Sequence, residues 1–137
     1  MFVSSARPTY AAGTTYKATL DGKSEVPPTT SSGTGTATVT YDPSTKMVTW
    51  EGSFSGLSGP ATAAHIHGPG EPGKNAGVIV PFSQQGTPFT SPFKGSATLA
   101  DDKAAALTAA LTSGQAYVNV HTAANPGGEL RGQLAKA

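Results

Sequence analysis

The stretch Gly35-Thr36-Ala37-Thr38-Val39-Thr40-Tyr41, then Asp42-Pro43-Ser44-Thr45-Lys46, then Met47-Val48-Thr49-Trp50-Glu51-Gly52-Ser53-Phe54 decides the fold class of this chain. Both arms are rich in β-branched and aromatic residues, which suit a pleated, half-buried surface. The segment between them is turn chemistry: proline presets φ, and aspartate and serine bond their own backbone. Two such runs joined by a tight turn predict an antiparallel hairpin.

The same signals recur on either side. Tyr16 to Leu20 reads as a first strand, ended by Asp21-Gly22. The Leu57-Ser58-Gly59-Pro60 break leads into a strand from Ala61 to His67. Residues 68–77 hold four glycines and two prolines and form a loop. Val78-Ile79-Val80 and Phe93 to Leu99 are further strands, followed late in the chain by Gln115 to His121 and Glu129 to Leu134. One segment has a different period. From Asp101 to Ser113 alanines and leucines dominate, Leu107 and Leu111 are four apart, and Gly114 follows. Aspartate near the N-cap and glycine beyond the last turn predict a short helix. About eight short strands with frequent turns predict an all-β fold, a single antiparallel Greek-key β-sandwich carrying that one helix. Residues 1–13 are expected to be a poorly ordered arm, and 14–137 the domain.

Composition removes several classes of function. A chain of 137 residues is one domain with room for a core. Net charge is +1 and only 12% of residues are charged, so no electrostatic footprint for nucleic acid exists. Cysteine is absent, which excludes disulfides, thiolate metal sites and a cysteine nucleophile. No apolar run is long enough to span a bilayer. No nucleophile elbow, phosphate loop or dinucleotide fingerprint occurs. The opening Met1-Phe2-Val3-Ser4-Ser5 lacks a signal-peptide core, while the low charge and the Thr, Gly, Ser and Pro content suit an exported protein. A periplasmic or secreted mature form is the expectation. A homo-oligomer is compatible with the sequence but not specified by it.

The chemistry rests on the three histidines. His65 and His67 form an H-x-H triplet, and His121 ends the run Tyr117-Val118-Asn119-Val120-His121. Alternate residues of a strand share a face, so His65 and His67 point the same way about 7 Å apart. With a third imidazole from a neighbouring strand they can converge on one ion, and nitrogen-rich, flattened sites favour Cu(II). The competing reading is that all three are half-buried strand residues serving only the fold. Asn119, on the strand face of His121, and Glu129, near Arg131, are candidates to orient the ligands. Metal affinity is expected to weaken as pH falls through the ordinary histidine range near 6.5.

Four blocks carry a family resemblance. Leu20-Asp21-Gly22 with Glu25-Val26-Pro27-Pro28, His65-Ile66-His67-Gly68-Pro69, Gly114 to Thr122, and Asn125-Pro126-Gly127-Gly128-Glu129-Leu130-Arg131-Gly132-Gln133-Leu134 resemble the chordin-domain (CHRD) family. In animals that family is a module of a secreted growth-factor antagonist; bacterial members resemble stand-alone exported proteins. A second, more distant resemblance is to copper,zinc superoxide dismutases, whose Greek-key sandwich is close to the immunoglobulin-like type. In those enzymes an H-x-H strand and a later histidine hold copper, and an arginine near the C-terminus guides the anionic substrate. His65, His67, His121 and Arg131 match that set in order. No histidine remains for the bridging position, so no zinc site is expected.

The resemblance thus implies a single copper ion on His65, His67 and His121, with Arg131 steering superoxide and Lys74 as a weaker second cation. The favoured function is a copper-only, superoxide dismutase-like enzyme converting superoxide to oxygen and hydrogen peroxide. The alternatives are a non-catalytic copper-binding or buffering protein and a metal-free structural or adhesive module.

Overall fold

A computed structural model describes residues 13–83 and 89–137. Apart from Gly13, the arm expected over residues 1–13 lies outside the described residues. Among the described residues nine strands form: β1 (Thr14–Asp21), β2 (Thr34–Asp42), β3 (Met47–Ser55), β4 (Ala61–His67), β5 (Val78–Pro81), β6 (Phe93–Thr98), β7 (Tyr117–Thr122), β8 (Leu130–Gln133) and β9 (Ala135–Lys136). One helix, α1 (Asp101–Thr112), separates β6 from β7.

The deciding hairpin is β2–β3, paired antiparallel from Thr34↔Ser55 to Asp42↔Met47. Its alternation is realised residue by residue: Ala37, Val39, Tyr41, Val48 and Trp50 are buried, while Thr36, Thr49 and Glu51 between them face out. The turn works as its chemistry predicts. Asp42 Oδ1 accepts the Ser44 backbone N–H at 2.9 Å and the Ser44 hydroxyl at 2.6 Å.

All strand pairs are antiparallel, and the order across the sheet is β5–β4–β7–β8–β1–β2–β3–β6, with β9 also pairing with β1. Only one residue pair, Asp21↔Arg131, joins β8 to β1, so the sheet bends sharply there into two flanks. The flanks face each other over one apolar core drawn from both, including Leu20, Val39 and Trp50 from one and Ile66, Val118, Val120 and Leu130 from the other. Trp50 of β3 stacks on Phe82, just beyond β5, at 4.8 Å and 17°, so strands at opposite ends of the order meet across the core. The result is the sandwich-like antiparallel all-β fold that strand spacing predicts. No helix among the described residues is long and apolar enough to cross a membrane.

Two details depart from expectation. Asp101 does not cap α1 through its side chain: Ala100 is the N-cap, and Asp101 and Asp102 sit in the first turn. There they face the positive end of the helix dipole, and Asp101 pairs with Lys46 at the β2–β3 turn. The strand expected from Glu129 to Leu134 is β8, Leu130–Gln133, and a separate two-residue strand, β9, follows it at Ala135–Lys136.

At the bend the two backbones approach closely. A Cβ added at Gly132 would strike the Thr19 carbonyl oxygen and press on Leu20, with no flexible side chain able to yield. Gly132→Ala should cost about 1–3 kcal/mol, the usual range for overpacking. A denaturant titration will show the midpoint falling at unchanged slope; an unaltered midpoint would mean the bend tolerates a wider gap.

Candidate metal centre

Strands β4 and β7 are neighbours, with His65 opposite Asn119, His67 opposite Tyr117 and His121 opposite Ala63. Because side chains alternate, Ala64, Ile66, Val118 and Val120 enter the core, while His65, His67, Tyr117, Asn119 and His121 all stand on the outer face. On β8, Arg131 pairs with Asn119 and Gln133 with Tyr117, extending the same polar face. Loops after β1, β4 and β7 cover it. His67, Asn119 and Arg131 are therefore 8%, 3% and 1% exposed although they lie outside the apolar core.

Two imidazoles have their tautomers set by backbone carbonyls, which can only accept. His67 Nδ1–H donates to Ala76 O at 2.9 Å, and His121 Nδ1–H donates to Pro126 O at 2.9 Å. In each neutral ring Nε2 is then a bare acceptor. His121 Nε2 lies 3.1 Å from His65 Nδ1. The Asn119 amide oxygen lies 2.9 Å from His67 Nε2 and 3.0 Å from His121 Nε2. The three histidine ligand atoms all fall within 4.8 Å of one another. Lone pairs thus converge on one small volume, and the natural complement of such a set is a cation.

Burial opposes supplying that cation as protons. Burial, reinforced by any charge on His121 and His67, pushes His65 down to about 4. Burial also lowers His67, although Ala76 O and Asn119 Oδ1, which accept from the charged ring, act in the other direction, and it lowers His121. At pH 7 the imidazoles are neutral and ready to ligate. The charging range lies below the ordinary histidine value, not near 6.5 as expected from the sequence.

A stack leads away from the cluster. The Tyr117 ring lies on His67 at 4.9 Å and 3°, and Arg131 Cζ sits 3.5 Å from the centre of the Tyr117 ring. Arg131 donates to Glu71 O, Asn75 Oδ1 and Gln133 Oε1. Arg131 is therefore a fully engaged buried cation behind the tyrosine, rather than a free one at an open mouth. Lys74 is exposed on the loop after β4. Glu129 accepts from Ser31, Ser58, Thr122 and Asn125, and so braces the loop that presents Pro126 O to His121. Its bonds end in three loops and at Thr122, the last residue of β7, one step removed from the imidazoles.

Glu25 and Tyr117 were not among the candidate site residues. Glu25 is buried, and the Asn119 amide NH2 lies against its carboxyl. Burial raises Glu25 to about 7, partly offset by the Arg131 charge, the Val26 N–H and the Asn119 amide. Nothing in a single sequence marks a loop glutamate for burial. On the open side, a cleft of about 790 Å³ reaches His65 and His121 between Ala63, Val78, Pro81 and Pro126. None of its described lining residues is charged.

This is an antiparallel all-β domain with a candidate three-imidazole metal centre on one outer face. A model of the CHRD domain matches residues 16–134, and the chain belongs to that family. No curated protein and no solved structure matches it.

Two titrations follow. In the metal-free protein the His65 ring resonances should move with a midpoint near pH 4; a midpoint near 6.5 would show an open, hydrated ring. A histidine lowered in the folded state leaves stability intact above pH 6.5 and removes it as pH falls from 6.5 towards 4, because only the unfolded chain takes up the proton there. Glu129 behaves differently: burial alone would raise it, but the bonds from Ser31, Ser58 and Thr122 outweigh that and hold it at about 2. Its stabilisation is present above the unfolded value and lost as pH falls through about 2. Glu129→Gln should lower unfolding free energy at pH 7 by on the order of 3 kcal/mol, and the gap should narrow below pH 4. Equal stability at pH 7 would contradict the bracing role.

Proposed function

We propose that this domain is a copper-binding protein, acting outside the cytoplasm, that holds one copper ion on His65 Nδ1, His67 Nε2 and His121 Nε2. The carrying observation is the pair of carbonyls, Ala76 O and Pro126 O, that accept the Nδ1–H of His67 and His121 and so leave both Nε2 atoms bare within the histidine cluster. Imidazole suits copper in both oxidation states, and tetragonal nitrogen-rich sets favour Cu(II). The CHRD family membership supports the extracytoplasmic location.

Superoxide dismutation is the second reading. The cleft supports it by leaving one side of the cluster approachable by a small molecule. The setting of Arg131 weighs against anion steering: a guanidinium 1% exposed and stacked behind Tyr117 cannot draw substrate through solvent as an open cation does. Binding without turnover is therefore the better-supported function. Any dismutation at this centre should show little of the salt dependence that steering produces.

Copper added to tag-free protein should bind one ion per chain and give a paramagnetic resonance spectrum with nitrogen couplings. His65→Ala and His121→Ala should each weaken binding by at least 100-fold. Unchanged affinity in either variant would overturn the assignment. In a superoxide assay the copper-loaded protein should not exceed aqueous copper. A faster rate that falls steeply with salt and with Arg131→Ala would restore the enzyme reading.

A further inference from the structure

The three histidines leave one position of the site unexplained, and the geometry around Asn119 accounts for it. Bonds of about 2.0–2.1 Å meeting at right angles place neighbouring donor atoms about 2.9 Å apart, whereas tetrahedral angles place them about 3.3 Å apart. The successive spacings here are 3.1 Å from His65 Nδ1 to His121 Nε2, 3.0 Å from His121 Nε2 to Asn119 Oδ1, and 2.9 Å from Asn119 Oδ1 to His67 Nε2. Along this run of four donors two of the three spacings lie near the right-angle value and the third lies midway between the two. The Asn119 oxygen lies between His121 Nε2 and His67 Nε2, in contact with both.

An asparagine side chain can present oxygen or nitrogen, so something must decide which faces inward. The amide NH2 lies against the buried Glu25 carboxyl, which accepts and does not donate when ionised. That contact turns Oδ1 towards the histidines. Glu25 Oε2 is buried with no hydrogen-bond partner, so it is free to face the amide and, when the carboxyl is ionised, to act on charge beyond it. Three imidazoles and an amide are all neutral, so a divalent ion held by them alone would keep its full charge. A carboxylate one residue away offsets part of that charge through the low-dielectric interior without entering the first ring of ligands.

We propose that Asn119 supplies the fourth ligand through its side-chain oxygen, making an N3O centre, and that Glu25 is the positioning residue that holds this oxygen towards the ion. The inference rests on the copper reading above and adds to it the identity of the fourth ligand and the group that orients it. It also fits the ion class, since tetragonal sets of nitrogen and oxygen are Cu(II) chemistry.

The test uses full-length protein loaded with Cu(II) and labelled with carbon-13 at the asparagine carbonyl. Pulsed paramagnetic resonance should show a carbon-13 coupling to copper that disappears in Asn119→Ala, while the histidine nitrogen couplings persist. Asn119→Ala should weaken copper binding by about 10–100-fold, and Asn119→Asp should restore it with a shifted spectrum, because the carboxylate keeps the oxygen and adds charge. Glu25→Leu should diminish the carbon-13 coupling, whereas Glu25→Gln, which retains an accepting oxygen, should preserve it. Histidine nitrogen couplings without any carbon-13 coupling in the wild type would overturn Asn119 as a ligand and leave the three-histidine site standing. A coupling unchanged in Glu25→Leu would remove Glu25 from its positioning role. Absence of stoichiometric copper binding would overturn the centre and this ligand with it.

Discussion

Two backbone carbonyls, Ala76 O and Pro126 O, are the contacts on which the site depends. Each accepts a hydrogen bond from the Nδ1–H of one imidazole, which keeps the proton on that nitrogen and leaves the opposite one bare. Without them the rings of His67 and His121 can turn or exchange tautomers, and nothing keeps their lone pairs facing His65. The rest of that flank serves to hold these carbonyls in place. Tyr117 contacts the Ala76 peptide group from both directions, accepting from its N–H at 2.9 Å and donating to its oxygen at 3.3 Å. Glu129 collects hydrogen bonds from Ser31, Ser58, Thr122 and Asn125 and ties the Pro126 loop to the loops after β1 and β3.

This arrangement amounts to a second interior, polar where the first is apolar. The outer face of β4, β7 and β8 would be a solvated surface in an ordinary antiparallel sheet. Here three loops close over it, and a buried polar group is costly unless it is partnered. Arg131 meets that requirement through three acceptors and the Tyr117 ring, and the Glu129 carboxylate through its cluster of donors. The imidazole nitrogens and the Asn119 oxygen meet it differently, by facing one another around a space fit for an ion. Among the described residues the buried side-chain atoms without a partner are Glu25 Oε2, Trp50 Nε1 and Ser83 Oγ, and of these Glu25 lies beside Asn119 at the candidate centre.

Much of the framework was legible because it depends on short-range rules. The β2–β3 hairpin followed from alternation and from Asp42-Pro43-Ser44. Strand β4 has the bounds read from the sequence, Ala61–His67, because Gly59-Pro60 and Gly68-Pro69 punctuate it. The period of two placed His65 with His67 on one face of β4 and Asn119 with His121 on one face of β7. The end of α1 followed from Gly114, which takes up a φ of +74° just beyond the last turn. Its start differs in detail: Ala100 is the N-cap, no side chain caps it, and the Asp101 carboxylate pairs with Lys46 instead.

The sequence by itself determined the periodicities, the turns and the face on which each histidine stands, since these rest on local steric and hydrogen-bonding preferences. Tertiary structure alone decided that β4 and β7 are neighbours in a register that sets His65 against Asn119, a choice made by packing across the core. It alone decided that Arg131 is buried behind Tyr117, because loops distant in the chain supply its acceptors. Glu25 owes its burial, and its place beside Asn119, to the same loop closure. Charge and spacing along a chain carry no record of which polar side chains will be covered, and covering is what turns three surface histidines into a candidate metal centre.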